Sequence, residues 1–216
     1  AGHIDKGYYD IARKNVMPNL EGWLSDPYDE LYDKNIKQGI RQAIEDERWP
    51  ELAEAFVQDI KFGTGGIRGK MAFRREAVLK MQEEGIDVPI LKGPATINDK
   101  VLLLKSVGVA RYGRDNGLNK IVIGYDSRVQ GEAFAKLITR LFLAYGLTVY
   151  LFDEACPYPE VTFAIPNVKA DMGILISASH NDYRYNGYKL SCGNGSQFDL
   201  AERNKIYDNY IVTAKP

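Results

Sequence analysis

Three short apolar runs, each about the length of a β-strand, set the fold that this chain can adopt. They lie at residues 121–125, 147–152 and 172–176, and they are hydrophobic almost throughout rather than alternating with polar residues. Such runs are typical of parallel strands buried on both faces, and parallel strands need long crossover connections. The sequence therefore predicts the fold class α/β: a mixed, mostly parallel sheet with a β-α-β-α-β core flanked by helices.

The segments around these runs carry helix and turn patterns. Apolar residues three and four apart follow the first run up to Gly146, and a second, proline-containing connection leads to the third run. Ahead of the first run, Thr96 and Asp99 have the spacing of a helix capping box. After the third run, Gly193-Asn194-Gly195 predicts a hairpin turn rather than a glycosylation site.

Polar loops follow all three predicted strands. They lie at residues 125–128, 156–159 and 177–181. The carboxyl ends of parallel strands share one edge of the sheet, and ligands of open α/β sheets bind outside that edge. We therefore expect the three loops to meet there and to form a ligand site.

The third of these loops carries the side chains most suited to catalysis. It reads Ser177-Ala178-Ser179-His180-Asn181, and Lys189 lies ten residues after Ser179. A hydroxyl with a histidine and an amine nearby is suited to acyl or phosphoryl chemistry. Serine and asparagine are also favoured at helix caps and turns, so a strand that ends in a plain cap is the alternative. A Ser-His hydrolase is a weaker hypothesis because the loop lacks the Gly-x-Ser-x-Gly elbow.

A glycine-rich loop precedes the sheet at residues 61–70. Its glycines permit close approach of the backbone to a ligand, and Arg68 carries a fork of N–H donors that matches phosphate oxygens. The loop is not a Walker A motif, because Thr64 occupies a required glycine position. It is not a dinucleotide fingerprint either, because Arg68 occupies the place of the third glycine. The alternative is a flexible surface loop.

Together these elements resemble the α-D-phosphohexomutase superfamily of phosphoglucomutases and phosphomannomutases. Their matches cover roughly Phe62 to Phe198 and follow the order of the family. The matching segments are the first substrate loop at 62–69, the Gly-x-Asp-x-Arg turn at 124–128, the Pro-Thr-Pro position at 156–159, the active-serine loop at 177–182 and the Asn-Gly-x-Lys extension at 186–189. Cys156 and Asp182 depart from the pattern. These departures leave the reacting groups in place, and they bear on the rigidity of the loop and on substrate preference.

The resemblance implies a role for each matched residue. Ser179 is the hydroxyl that carries a phosphoryl group, and Lys189 is the general acid/base. His180 hydrogen-bonds to the phosphoserine or the sugar, and Arg68 and Arg128 stabilise charge around the phosphoserine. Further phosphate or substrate contacts are implied for Asn181, Thr64 and Gly65.

The resemblance also implies cofactors and substrates. Mg²⁺ binds the phosphate of Ser179, with its remaining ligands supplied from outside this chain. Hexose 1,6-bisphosphate is the activator and intermediate, and the substrates are glucose and mannose 1- and 6-phosphates. The implied reaction moves a phosphoryl group between C1 and C6 of the hexose.

The predicted organisation is a helical extension at residues 1–60, packed on a phosphohexomutase domain I at 61–216 that carries the active serine. In the extension, one helical stripe is predicted at Tyr32, Ile36, Ile40 and Ala43-Ile44 and a second at Leu52, Ala55 and Phe56, with Trp23 and Trp49 as the expected anchors. Later domains lie outside this chain, so we expect residues 1–216 alone to be inactive. The extension and an extra stretch at 73–92 resemble the larger branch of the superfamily, which includes phosphopentomutase-like members. A phosphopentomutase-like enzyme and a non-catalytic sugar-phosphate or phosphopeptide binding module remain as alternatives.

Composition agrees with an ordinary globular domain. A formal net charge of -1 argues against a nucleic-acid surface. No apolar run approaches about 18 residues, so neither a membrane span nor a signal peptide is predicted. Cys156 and Cys192 are too few for a disulfide framework. We expect a cytoplasmic protein, and the sequence predicts no particular oligomeric state.

Overall fold

The structure is a computed structural model that describes residues 6–27, 35–61, 63, 66–72 and 91–214. The chain forms two compact units. One comprises Ala1–Ile60 with Gly69–Val101, and the other comprises Lys61–Arg68 with Leu102–Pro216. The first unit thus includes the predicted helical extension and reaches beyond it.

Helices build the first unit. They are α1 (Lys6–Ser25), α2 (Ile36–Glu45) and α3 (Trp49–Phe56), and α1 was not predicted. These helices share one core, which includes both predicted helical stripes as far as the structure describes them. The buried members of this core are Leu20, Ile36, Ile40, Ala43, Leu52, Ala55, Phe56 and Leu91.

The two tryptophans of this unit differ from each other. Both were expected to anchor the extension. Trp23 does so, because its ring lies edge-on to Phe56 with centroids 5.7 Å apart. Trp49 does not, because it opens α3 one turn before the buried stripe begins at Leu52, and it is 55% exposed. Tyr32, the first residue of the other predicted stripe, lies outside the described residues.

The five strands of the sheet lie mainly in the second unit. They are β1 (Ile67–Lys70), β2 (Lys120–Tyr125), β3 (Thr148–Leu151), β4 (Met172–Ile176) and β5 (Tyr185–Cys192), in the order β1-β5-β4-β2-β3. Strand β2 runs parallel to β3 and β4, while β5 runs antiparallel to β4. The mixed, mostly parallel sheet of the prediction is therefore confirmed.

Helices connect the parallel strands as the apolar stripes indicated. Helix α4 (Asp99–Asp115) precedes β2, α5 (Gly131–Ala144) joins β2 to β3, and α6 (Tyr158–Asn167) joins β3 to β4. After β5 come α7 (Leu200–Ile206) and a π-helical turn at Tyr207–Ile211. Among the described ranges, no helix combines the length and the apolar character that a membrane span requires.

The start of α4 corrects the predicted cap. The Oδ1 of Asn98, not the hydroxyl of Thr96, accepts the N–H of Val101 at 3.0 Å. The hydroxyl of Thr96 is bonded to Gly93 instead. The predicted hairpin turn after β5 is confirmed, because Cys192 N–H donates to the Ser196 carbonyl at 2.8 Å.

The strand register brings the polar loops to one edge. Tyr125, the last residue of β2, pairs with Ile176, the last residue of β4. On the other side, Ile176 pairs with Tyr188 of β5. The segments that follow Tyr125 and Ile176 therefore leave the sheet side by side, next to Lys189.

Candidate active site

The serine loop begins as a continuation of the buried strand β4. Ser177 and Ala178 are buried, whereas Ser179 and His180 are exposed. Ser179 has φ 59, a left-handed conformation that is unfavourable for residues with a side chain. The hydroxyl of Ser177 accepts the N–H of Ser179 at 3.0 Å and so helps to hold this turn. The local structure thus raises the Ser179 hydroxyl into solvent at the edge of the sheet.

Arg128 holds the serine loop through its main chain. Its Nη1 donates to the carbonyls of Asp182 at 2.7 Å and Tyr185 at 2.9 Å. Its Nη2 donates to the carbonyls of Ser179 at 2.7 Å and Asn181 at 2.5 Å. Hydrogen bonds to a charged donor are stronger than those between neutral groups, so one side chain fixes four points of the loop.

Asp126 fixes Arg128 in turn. Its Oδ1 accepts the N–H of Arg128 at 3.1 Å, and its Oδ2 lies 3.4 Å from Nε of Arg128. The four terminal N–H groups of Arg128 are engaged with carbonyls, so a phosphate near Ser179 would feel its charge rather than receive its hydrogen bonds. That Arg128 stabilises charge around the phosphoserine remains a prediction. The geometry adds a structural role, because this side chain holds the main chain of the serine loop.

Asp182, which departs from the family pattern, makes a turn of its own. Its Oδ1 accepts the N–H of Arg184 at 2.9 Å, and its carbonyl accepts the N–H of Tyr185 at 3.1 Å. The Arg184 guanidinium binds both carboxylate oxygens, at 3.1 and 2.9 Å. An aspartate that bonds the backbone two residues on is a standard turn device. These hydrogen bonds give the serine loop a defined turn at Asp182 and so restrict its motion there.

Lys189 lies on β5 and is 8% exposed. Its Nζ lies 4.8 Å from the centroid of the Tyr158 ring. Burial is the main cause that lowers the pKa of this amine, and the positive charge of Arg68 lowers it further. The carboxylate of Asp126 opposes the shift, and Arg128 adds to it. A lysine that loses its proton more readily is suited to act as a general base.

Gly187 allows the strands to meet beneath the site. A Cβ at this position would lie 2.4 Å from the carbonyl oxygen of Ile67 and 2.6 Å from that of Ser177. It would also lie 3.3 Å from Cγ of Arg68, so the stem of this exposed arginine passes directly over the glycine. The glycine of the Asn-Gly-x-Lys segment thus brings β1, the serine strand and β5 into close contact.

Asn186 has a structural role that the sequence analysis did not identify. It is fully buried, its Oδ1 accepts the N–H of Gly187 at 2.8 Å, and its Nδ2 donates to the carbonyl of Val129 at 3.3 Å. It therefore joins β5 to the loop that carries Arg128. The sequence signal that could have indicated this role is the position of Asn186 directly before Gly187, where a side chain would clash with neighbouring strands.

The glycine-rich loop is described in part. Gly66 has φ 112, and a Cβ there would lie 2.1 Å from the carbonyl oxygen of Tyr188, so the loop passes against β5 beside Lys189. Nη1 of Arg203 donates to the carbonyl of Gly63 at 2.9 Å. Thr64 and Gly65, the other predicted contacts of this loop, lie outside the described residues.

The remaining predicted residues lie on the serine loop. His180 is exposed beside Ser179. Asn181 donates its N–H to the carbonyl of Ala178 at 3.3 Å. Its buried Oδ1 has no hydrogen-bond partner among the described residues. The predicted residues that the structure describes therefore lie at one sheet edge, which combines a hydroxyl, an amine with a lowered pKa and the charges of two arginines.

The described residues do not by themselves fit a magnesium site. Within those ranges, no group of three or more histidine, cysteine or acidic side chains could hold an ion. Mg²⁺ prefers several oxygen ligands in octahedral geometry. The serine edge instead offers one hydroxyl among basic side chains, with the Asp126 carboxylate engaged by Arg128.

The family model and the relatives that match this chain point to the same family. A family model described as phosphoglucomutase/phosphomannomutase, alpha/beta/alpha domain I, matches residues 59–215. A phosphoglucomutase of Staphylococcus haemolyticus (strain JCSC1435) is 33% identical over 147 residues, which cover 68% of this chain and 23% of that protein. A Homo sapiens phosphopentomutase is 30% identical over 178 residues, which cover 77% of this chain and 26% of that protein. The chain thus spans about a quarter of the length of these two relatives.

A solved structure shows the same architecture. A Thermus thermophilus protein described as a phosphomannomutase superposes with a TM-score of 0.58 at 27% sequence identity. The match covers 71% of this chain and 30% of that one.

Proposed function

This chain belongs to the phosphoglucomutase/phosphomannomutase family, and on that premise we propose that the protein carrying it moves a phosphoryl group between C1 and C6 of a hexose phosphate through Ser179. The observation that carries the proposal is the position of Ser179. Its hydroxyl is exposed on a held, left-handed turn, at the sheet edge where Lys189 has a lowered pKa.

In the proposed reaction, Ser179 carries the phosphoryl group in the resting enzyme. A hydroxyl of the sugar phosphate attacks phosphorus, and the bond between phosphorus and Oγ of Ser179 breaks. Lys189 accepts the proton of the attacking hydroxyl and passes it to Oγ, so that Ser179 leaves as a neutral hydroxyl. The product of this half-reaction is a hexose 1,6-bisphosphate. The reverse transfer from its other phosphate returns the phosphoryl group to Ser179.

The basic side chains around Ser179 supply electrostatic stabilisation in this proposal. Positive charges near a transferring phosphoryl group stabilise the charge on its equatorial oxygens. Arg68 is an exposed residue of β1 whose charge acts on Lys189, and Arg128 contributes charge from beneath the loop. His180, exposed next to Ser179, is assigned to hydrogen bonding with the phosphoserine or sugar, and Asn181, Thr64 and Gly65 to further contacts.

Mg²⁺ and hexose 1,6-bisphosphate are part of the proposal, as is a cytoplasmic location. When bound, the ion would neutralise charge on the transferring phosphoryl group. Its ligands other than the Ser179 phosphate would come from outside this chain.

Intact-mass analysis and turnover of the whole protein test the assignment of Ser179. We expect one added phosphoryl group in the wild type, located on Ser179 by peptide mapping. Ser179→Ala should remove both the added mass and mutase turnover while the protein stays folded, because an exposed hydroxyl contributes little to the core. Ser196→Ala is the matched control, since it alters an exposed serine on the turn at the opposite edge of the sheet. Turnover above a few per cent of wild type in a folded Ser179→Ala protein would contradict the assignment.

A pentose phosphate is the second candidate substrate. The similarity to human phosphopentomutase, which covers 77% of this chain, favours it. Parallel assays with glucose, mannose and ribose 1-phosphates distinguish the candidates by their kcat/KM. Binding of these ligands without turnover would instead support a non-catalytic sugar-phosphate binding protein.

A further inference from the structure

An aromatic ring lies against the amine that the proposed reaction uses. Tyr158 is the first residue of α6, and its ring centroid lies 4.8 Å from Nζ of Lys189. At this distance the lysine side chain packs against the ring in either protonation state, and the ammonium form is in addition attracted by the ring electrons. The distance therefore defines a contact that favours one placement of the Lys189 side chain.

The ring itself is held by a hydrogen bond at its hydroxyl and by apolar packing. Its hydroxyl and the Oγ of Ser191 are 2.9 Å apart, within hydrogen-bond distance. Ser191 is 1% exposed and lies two residues after Lys189 on β5, so both side chains extend from the same face of the strand. The body of the ring packs against the apolar cluster that includes Val122 and Val161.

A lysine side chain without such a contact would not be confined in this way. Its four-carbon stem is flexible, and ordering it costs conformational entropy. A proton acceptor that occupies several positions is in line with the attacking hydroxyl for only part of the time, and loss of orientation lowers the rate of reaction. A fixed ring that confines the amine would remove that loss.

We propose that Tyr158 is a positioning residue for Lys189: its ring, anchored by the Ser191 hydroxyl, holds the amine at the serine edge of the sheet. The catalytic consequence rests on the proposed function, whereas the placement of the amine by the ring does not. Three charged groups also act on the pKa of this amine. They are Arg68 from β1, and Asp126 and Arg128 from the loop after β2.

Nuclear magnetic resonance of the intact protein tests the placement without reference to activity. Protons beside the amine of Lys189 should show a ring-current shift, identified by its loss in Lys189→Arg. Tyr158→Phe keeps the ring and should keep the shift. Tyr158→Leu removes the ring and should abolish it. A wild-type spectrum without the shift would overturn the proposal.

Kinetics of the same variants test the consequence. We expect Tyr158→Leu to lower kcat about tenfold or more while KM changes less than about threefold, because orientation of a proton acceptor acts on the chemical step. Tyr158→Phe should restore most of kcat, and Ser191→Ala should cause a smaller loss than Tyr158→Leu. Thermal unfolding verifies that each variant is folded, and Tyr158→Met replaces Tyr158→Leu if the latter is not.

The two arms separate this proposal from the proposed function. If wild-type protein turns over none of the sugar phosphates, the proposed function fails, while the ring-current shift still supports or overturns the placement of Lys189. If turnover is present and Tyr158→Leu keeps the wild-type kcat, the proposed function stands and the positioning role of Tyr158 is wrong.

Discussion

At the scale of single residues, the environment of Lys189 matters more than its identity. An ordinary surface lysine stays protonated near neutral pH and is a poor base. Burial on β5 and the charge of Arg68 both lower the pKa of Lys189. The same arginine that is expected to stabilise the phosphoryl group therefore also favours the neutral amine.

This coupling predicts the effect of Arg68→Gln on the pH dependence of turnover. Lys189 must be neutral to accept a proton, so kcat/KM should fall as the pH drops through its pKa. Loss of the Arg68 charge removes a cause that lowers this pKa, so the acidic limb of the pH profile should move to higher pH. The position of the limb, not the height of the profile, is the quantity to measure.

Arg140→Gln is the matched control, because Arg140 is exposed on α5 and is not among the charges that act on Lys189. It should leave the limb unchanged. A limb that stays in place, or moves to lower pH, in Arg68→Gln would contradict the coupling.

At the scale of elements, the serine loop is shaped by contacts with its neighbours rather than by its own sequence alone. The guanidinium of Arg128, which follows β2, binds carbonyls 51 to 57 residues further along the chain. Asn186 of β5 binds the carbonyl of Val129. The loop after β2 and the serine loop therefore form one hydrogen-bonded assembly.

Arg128→Lys should loosen this assembly. The lysine keeps the charge but cannot reproduce the planar fork that reaches four carbonyls, so we expect kcat/KM to fall about 10-fold to 100-fold, equivalent to about 1 to 3 kcal/mol. Amide hydrogen exchange over residues 179–185 should become faster. Because the substitution keeps the charge, a fall in kcat/KM together with faster exchange assigns the loss to loosening of the loop. Arg140→Lys serves as the control, and unchanged exchange in Arg128→Lys would contradict the role of Arg128 in holding the loop.

Local patterns explain which elements were predictable. The apolar runs of β2, β3 and β4 and the glycine turn after β5 are properties of neighbouring residues, and these elements were predicted correctly. The expected burial on both faces was wrong for β3, which lies at the edge of the sheet and has no buried residue. Parallel pairing then follows from connection length, so the shared edge was predictable too. The binding of Arg128 to distant carbonyls was not, because its partners lie far away in sequence.

The structure differs from the sequence predictions where packing or competing hydrogen bonds determine the position of a side chain. Thr96 has a suitable spacing for a cap, but Asn98 lies closer to the helix start and takes that role. Trp49 is apolar, but it lies before the buried stripe of α3 and remains exposed. Tyr158 contacts Lys189 across 31 positions of sequence, a relation that no local pattern indicates.

At the scale of the whole molecule, every predicted site residue that the structure describes belongs to one compact unit. Ser179, His180, Asn181 and Lys189 lie in its carboxyl-terminal part, and Arg68 and Arg128 complete the set. This unit supplies a hydroxyl, an amine with a lowered pKa and positive charge. Phosphoryl transfer also requires oxygen ligands for Mg²⁺ and contacts that orient the sugar and its distal phosphate.

We therefore expect a polypeptide of residues 1–216 to fold and to show no measurable interconversion of hexose 1- and 6-phosphates. Metal-assisted electrostatic stabilisation and orientation of the substrate are the two largest sources of rate in such a reaction, and the described residues of this chain provide only part of the first. Arg68 and Lys189 should still give weak binding of phosphate near Ser179 that decreases as salt is added. The test is a coupled assay of this polypeptide beside the intact protein, with Mg²⁺ and hexose 1,6-bisphosphate present and circular dichroism as the control for folding. Turnover at even about a thousandth of the intact rate would correspond to retention of most of the catalytic stabilisation, and it would show that these residues contain the essential parts of the site.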